Sequence, residues 1–183
     1  MCREWPPALT FARHAHLLAP PADTLVHALK YEGWAELAGE MGHAMARVSL
    51  PSTAGGPPRL VVPVPTTSGR VRRRGYNQAL LLARAVAEAR RLDLSEALVR
   101  TRGGATQVAL HPSQRRANVR GVFAVREGET ARLRGAHVLL VDDVLTTGAT
   151  ACAAATELAR AGAEATTLLT FARALPFHRV PGP

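Results

Sequence analysis

The sequence predicts one α/β domain, with a mainly parallel central sheet, helices on its faces and a long flexible loop. Short runs at residues 60–65, 136–141 and 165–171, the first two of them largely apolar, are typical of buried strands. Segments of helical character lie between them, and such alternation is typical of a parallel sheet. The chain has 183 residues, 47% of them hydrophobic, which is enough for one domain with a real core.

The N-terminal part of the chain is predicted to be helical after an extended lead-in. Residues 1–22 are rich in proline and small residues and indicate an extended or poorly ordered segment. We expect the domain over residues 23–175 and a tail at 176–183. Asp23 is a plausible N-cap, and two helices broken at Gly33 are expected after it.

The remaining elements follow in chain order. They are a strand at 60–65, an amphipathic helix from near Asn77, candidate strands at 97–101 and 121–125, a strand at 136–141, a helix at 149–161 closed by Gly162, and a last strand at 165–171. Residues 102–120 are polar, contain glycine and lack periodicity, which indicates a long functional loop.

Composition excludes several classes of protein. With only 20% charged residues the chain is not wholly disordered, and no apolar run approaches the roughly 20 residues of a membrane-spanning helix. No secretory signal is visible, so we expect a soluble cytoplasmic protein. Cys2 and Cys152 form no CxxC pair, which excludes a disulfide scaffold and a four-cysteine zinc site.

The excess positive charge is concentrated in the middle of the chain. Of the 23 basic residues 22 are arginine, and Lys30 is the only lysine. Between Arg70 and Arg134 there are 15 arginines and five acids, whereas the rest of the chain has eight basic and nine acidic residues. A GC-rich genome explains the choice of arginine but not its placement. The block predicts a phosphate-rich partner, either a small polyanion or a nucleic acid.

The sharpest motif is LLVDDVLTTGAT at residues 139–150. A buried strand ends in two acids, and a turn rich in threonine and glycine then opens a helix. Backbone N–H groups, hydroxyls and the helix dipole favour a phosphate monoester there, and Gly148 allows close backbone approach. The acids can accept hydrogen bonds from sugar hydroxyls. An ordinary strand–turn–helix connection is the alternative, which the full string in this context disfavours.

Two arginine-bearing segments precede this motif. In PVPTTSGRVRRRGYNQA, which follows the first core strand, Arg70 and Arg74 are expected to position a diphosphate, because guanidinium forks match its oxygens. In the later segment from Thr106 to Val119, Arg115 and Arg116 are expected on a closing loop. The alternative is a solvated basic loop for the first segment and a mobile surface loop with two incidental arginines for the second.

Together the three motifs resemble those of the ComF family, competence-associated proteins with a type I phosphoribosyltransferase domain, over about residues 23–173. The resemblance implies binding of phosphoribosyl diphosphate (PRPP), with Mg²⁺ carried mainly by the diphosphate and ribose. Asp142 and Asp143 would meet the ribose hydroxyls. The 5-phosphate would be wrapped by Thr146, Thr147, Gly148, Ala149 and Thr150. Many relatives begin with a cysteine-rich zinc module that has no counterpart in this sequence.

The resemblance implies transfer of a phosphoribosyl group to an unidentified base or amine as diphosphate leaves. Arg115 and Arg116 would neutralise charge on the leaving group, and Asp143 would stabilise positive charge on the sugar. His111 is the one loop histidine placed to accept a proton, although a plain loop residue is the simpler interpretation.

A second hypothesis is a single-stranded DNA-binding competence factor in which PRPP binding is regulatory or vestigial. Arg72, Arg73 and Tyr76 would contact the strand. Aromatic residues make up only 4% of the chain, and Tyr76 is the sole aromatic next to the arginine cluster in sequence, so a stacking groove would be sparse.

Overall fold

The computed structural model describes residues 5–101 and 121–175. Its strands are β1 (Leu9–Leu17), β2 (Leu60–Pro63), β3 (Asp93–Leu94), β4 (Leu98–Arg100), β5 (Phe123–Val125), β6 (His137–Leu145) and β7 (Ala165–Arg173). Its helices are α1 (Ala22–His27), α2 (Leu37–Ala46), α3 (Ser68–Arg74), α4 (Gln78–Arg90), α5 (Thr130–Leu133) and α6 (Ala149–Arg160). A π-helical turn, Ala28–Glu32, continues α1.

Five parallel strands form the main sheet in the order β1–β7–β6–β2–β3, which confirms the predicted fold class. Apolar clusters cover both faces of the sheet. One contains residues of α6, and the other contains residues of α1, α2 and α4. Burial on both faces agrees with the unbroken burial of the first five residues of β6 and the first eight of β7. The predicted strands at 97–101 and 121–125 form a separate antiparallel pair, β4–β5.

The predicted helix boundaries are largely confirmed. Gly33, with φ of 79°, ends the π-helical turn before α2 begins. The side chain of Asn77 caps α4 by accepting from the N–H of Ala79. The prediction that Asp23 is the N-cap of α1 is wrong. Pro21 occupies that position, and Asp23 lies in the first turn, where an acid still favours the helix dipole.

The lead-in predicted at residues 1–22 contains a strand of the main sheet. Strand β1 pairs in parallel with β7 along its length, from Leu9 opposite Thr166 to Leu17 opposite Arg173. It lies at the sheet edge and mixes polar with apolar residues, so it lacks the apolar run by which the buried strands were predicted. The sheet therefore includes residues before residue 23.

Strand β6 continues past its predicted end and includes Asp142 and Asp143. Its pairing with β2 ends at Val141, whereas its pairing with β7 continues as far as Leu145. Beyond Val141 the side of β6 that faces β2 is therefore open, and this opening makes a cleft at the carboxyl ends of the strands. No helix in the described residues is long and apolar enough to cross a membrane.

Candidate functional site

A polar cleft of about 320 Å³ opens where β2 and β6 diverge, and we call it the main cleft. Among its lining residues are Lys30, Tyr31, Thr66, Arg70, Arg74, Asn77, Gln78, Arg100, Asp142, Asp143 and Thr150. A smaller cavity of about 40 Å³, which we call the turn cavity, lies in the turn between β6 and α6 and shares Asp142 and Thr150 with the main cleft. The acids thus stand between the threonine turn and the arginines, at the sheet edge where open α/β proteins bind ligands.

The turn cavity is lined by the whole predicted phosphate turn, namely Thr146, Thr147, Gly148, Ala149 and Thr150. Gly148 occupies the N-cap position of α6 with φ of 80°, a left-handed conformation that side chains disfavour. It is buried, and a Cβ atom added there would lie 3.3 Å from the indole of Trp5. The four other residues of the turn are exposed.

The acid pair differs in burial and in partners. Asp143 is 4% exposed; its Oδ1 lies 2.8 Å from Nζ of Lys30, and its Oδ2 is buried without a hydrogen-bond partner in the described part of the chain. Asp142 accepts from the N–H of Asp143 at 2.9 Å. Desolvation, and secondly the charge of Asp143, raise the pKa of Asp142 to about 8. The pair therefore holds an acceptor oxygen that an incoming hydroxyl or water can use.

The arginine cluster lies in the short helix α3, which the hydroxyl of Thr67 caps by accepting from the N–H of Arg70. Arg70 and Arg74 are four residues apart, a spacing that places them on one helix face, and both line the main cleft as predicted. The guanidinium of Arg74 lies 5.1 Å from the centroid of the Tyr31 ring. Its Nε and Nη1 atoms are buried and unpartnered among the described residues.

Arg72 and Arg73 are exposed and line neither the main cleft nor the turn cavity. Tyr76 is half-buried, and its hydroxyl donates to the carbonyl oxygen of Leu29 at 2.6 Å. Burial raises the pKa of this phenol. The structure brings a second aromatic to the arginines, because Tyr31 stacks on Arg74 and is 62% exposed.

Sequence reasoning missed several residues of the cleft, among them Lys30, Tyr31, Thr66 and Arg100. Arg100 ends β4, is partly buried and also lines the main cleft. Desolvation, and secondly the charge of Arg70, lower the pKa of Arg100. A usable signal existed only for Lys30, because it is the single lysine of an arginine-rich chain.

The predicted loop residues Arg115, Arg116 and His111 lie outside the described residues, as does Cys2. Their assignments stay predictions. In the described ranges, no group of three or more His, Cys, Asp or Glu residues could hold a metal ion.

Comparison with known proteins identifies a phosphoribosyltransferase domain in this chain. The family model described as "Phosphoribosyl transferase domain" matches residues 50–175. A solved glutamine PRPP amidotransferase from B. subtilis superposes with a TM-score of 0.50 at 22% identity, over 73% of this chain and 25% of that chain. At this identity the likeness concerns the fold alone.

Two curated relatives show which family of proteins with this domain the chain belongs to. The DNA utilization protein YhgH of Escherichia coli (strain K12) is 34% identical over 166 residues, which are 86% of this chain and 69% of the relative. Competence protein F of Haemophilus influenzae is 41% identical over 98 residues, 51% of this chain and 41% of the relative. The family model covers more than half of the chain, and the first relative is matched over two thirds of its length. This chain therefore belongs to the ComF family and carries a type I phosphoribosyltransferase domain.

Proposed function

We propose that the protein binds PRPP and transfers its phosphoribosyl group to a base or amine, with release of diphosphate. One observation supports this above all. The phosphate turn, the acid pair and the α3 arginines line adjoining cavities in the same order as the 5-phosphate, the ribose and the diphosphate of PRPP.

The unpartnered polar atoms match this placement of the ligand. Buried polar groups are normally hydrogen-bonded, so those that are not point to a missing partner. Oδ2 of Asp143 is an acceptor and suits a ribose hydroxyl. Nε and Nη1 of Arg74 and the hydroxyl of Thr66 lie beside the position proposed for the diphosphate and can donate to its oxygens.

The acid pair also fits a magnesium ion that the ligand carries, because Oδ2 of Asp143 can accept a hydrogen bond from an ion-bound water. The ion would supply neutralisation of the diphosphate charge. Arg70 and Arg74 would orient the remaining diphosphate oxygens.

As the bond from C1 to the diphosphate breaks, positive charge develops on the sugar and negative charge on the leaving group. Asp143 is buried and paired with Lys30, so its carboxylate acts on the developing charge of the sugar through little water. Arg70 and Arg74 face the leaving group, and Arg115 and Arg116 are proposed to join them there.

Calorimetric titration with PRPP, with and without Mg²⁺, tests the proposal. We expect Mg²⁺-dependent binding, weakened about tenfold in Asp142→Asn, because the side-chain amide replaces one of the two oxygens that can accept a hydrogen bond from a ribose hydroxyl. Asp93→Asn removes an exposed acid of β3 outside both cavities and is expected to bind like the wild type. Absence of binding in the wild type, or equal binding by Asp142→Asn, would contradict PRPP recognition. Absence of diphosphate release with any base or amine tested would contradict transfer.

A second candidate function, single-stranded DNA binding, is favoured by the exposure of Arg72 and Arg73 and by the names of the relatives. We expect Arg72→Glu with Arg73→Glu to weaken binding. The slope of log affinity against log salt concentration is expected to become shallower by about 1.4, the value for two lost phosphate contacts. The measurement is fluorescence anisotropy with a labelled oligonucleotide over a salt series. Arg47→Glu with Arg160→Glu changes the net charge equally at remote exposed sites. Equal losses in both double variants would mean that α3 is not the contact.

A further inference from the structure

The π-helical turn Ala28–Glu32 forms one wall of the main cleft. This turn lies far in sequence from the phosphate-turn motif at residues 139–150. Three consecutive residues of this turn each contact a different part of the site. Leu29 is fully buried and its carbonyl accepts from Tyr76, Lys30 pairs with Asp143, and Tyr31 stacks on Arg74. Such turns are frequent at functional sites. The contacts fix the position of Lys30 between β6 and α3.

Lys30 differs from every other basic residue of the chain. Arginine fills the other 22 basic positions, so the single lysine is not explained by composition. An ammonium group is a compact charge with three N–H donors that point in different directions, whereas guanidinium is a planar fork. Lys30 can therefore hold Asp143 with one donor and present the others to a second anionic group in the cleft that both residues line.

The charges that line the main cleft show that such a second group is missing. Among the described lining residues, the cations Lys30, Arg70, Arg74 and Arg100 face only the two acids of β6. The raised pKa of Asp142 reduces the negative charge further. A purely structural ion pair would need no excess of cations, and Arg74 would not keep two buried donors unpartnered.

We propose that Lys30 bridges Asp143 to the diphosphate of the bound ligand and so makes the site prefer a sugar diphosphate to a sugar monophosphate. This inference rests on the proposed function. The contact couples the ribose-binding acid to the leaving-group position through one side chain. Tyr31 assists by holding Arg74, which lines the same cleft.

Comparison of PRPP with ribose 5-phosphate tests the proposal by calorimetry. In Lys30→Gln the amide can still donate to Asp143, but the positive charge and one of the three N–H donors are lost. We expect PRPP affinity to fall about tenfold or more while ribose 5-phosphate affinity stays unchanged. Arg47→Gln removes one charge from an exposed position outside both cavities and is expected to change neither affinity.

A second measurement uses the wild-type protein and does not depend on the folding of a variant. Because Lys30 is the only lysine, an amine-reactive label followed by mass spectrometry reports this side chain, with the α-amino group as internal reference. We expect PRPP and inorganic diphosphate to protect Lys30 and ribose 5-phosphate not to. Equal loss of both affinities in Lys30→Gln, or equal protection by both sugars, would mean that Lys30 only orients Asp143. A wild type that binds neither sugar would instead contradict the proposed function.

Discussion

Replacement of Gly148 by valine is expected to lower PRPP affinity by at least about 100-fold, equivalent to roughly 2.7 kcal/mol. Gly148 holds φ of 80° at the start of α6, and a β-branched residue is strained in that conformation. The new Cβ would lie 3.3 Å from the Trp5 indole, so the turn or the indole must move. The backbone strain and the close contact with Trp5 both push the turn out of place, and this displaces the backbone N–H groups that are proposed to wrap the 5-phosphate.

A matched control separates this effect from general destabilisation. Gly162, just beyond the other end of α6, also has positive φ, 101°, and a Cβ there would meet Arg134 at an ordinary distance of 3.5 Å. Gly162→Val thus carries a similar backbone strain away from the site. We expect a lower Tm but wild-type PRPP affinity by calorimetry. Equal loss of binding in the two variants would mean a fold effect, and unchanged binding in Gly148→Val would remove the phosphate-turn assignment.

The phosphate turn could be predicted from sequence because everything that defines it is local. A buried strand, two acids, a glycine with positive φ and the first turn of α6 follow one another within residues 139–150. The same holds for α4, because its N-cap residue and the helical spacing of its apolar residues lie in one continuous stretch of sequence. Local chemistry of this kind is independent of where the remainder of the chain packs.

The rest of the site depends on contacts between distant segments. Lys30 and Tyr31 belong to a helical region far from the motif in sequence, and only the packing of that region on β7 and α4 brings them to Asp143 and Arg74. Strand β1 was missed because it lies at the sheet edge and has no apolar run longer than two residues. Helix α3 was missed because its seven residues, four of them arginine, show no apolar period.

The substitution Arg74→Met is expected to reduce PRPP affinity by about 100-fold while leaving the Tm of the unliganded protein unchanged or raised. Arg74 can donate from Nε and Nη1 to the diphosphate, and such paired, charge-assisted bonds are among the strongest that proteins form. In the unliganded protein these donors are buried without partners in the described chain, so removing them relieves a desolvation cost. Methionine keeps the apolar stem beside Tyr31.

Thermal unfolding and calorimetry on the same preparation decide between this role and a structural one. A structural arginine would show the opposite pattern, a lower Tm with PRPP affinity unchanged, and that result would remove Arg74 from the diphosphate site. Arg160→Met removes an exposed guanidinium paired with Glu157 at the end of α6, and both its Tm and its affinity are expected to stay near wild type. Because the Arg74 donors lack partners only while the ligand is absent, saturating PRPP should raise the Tm of the wild type more than that of Arg74→Met.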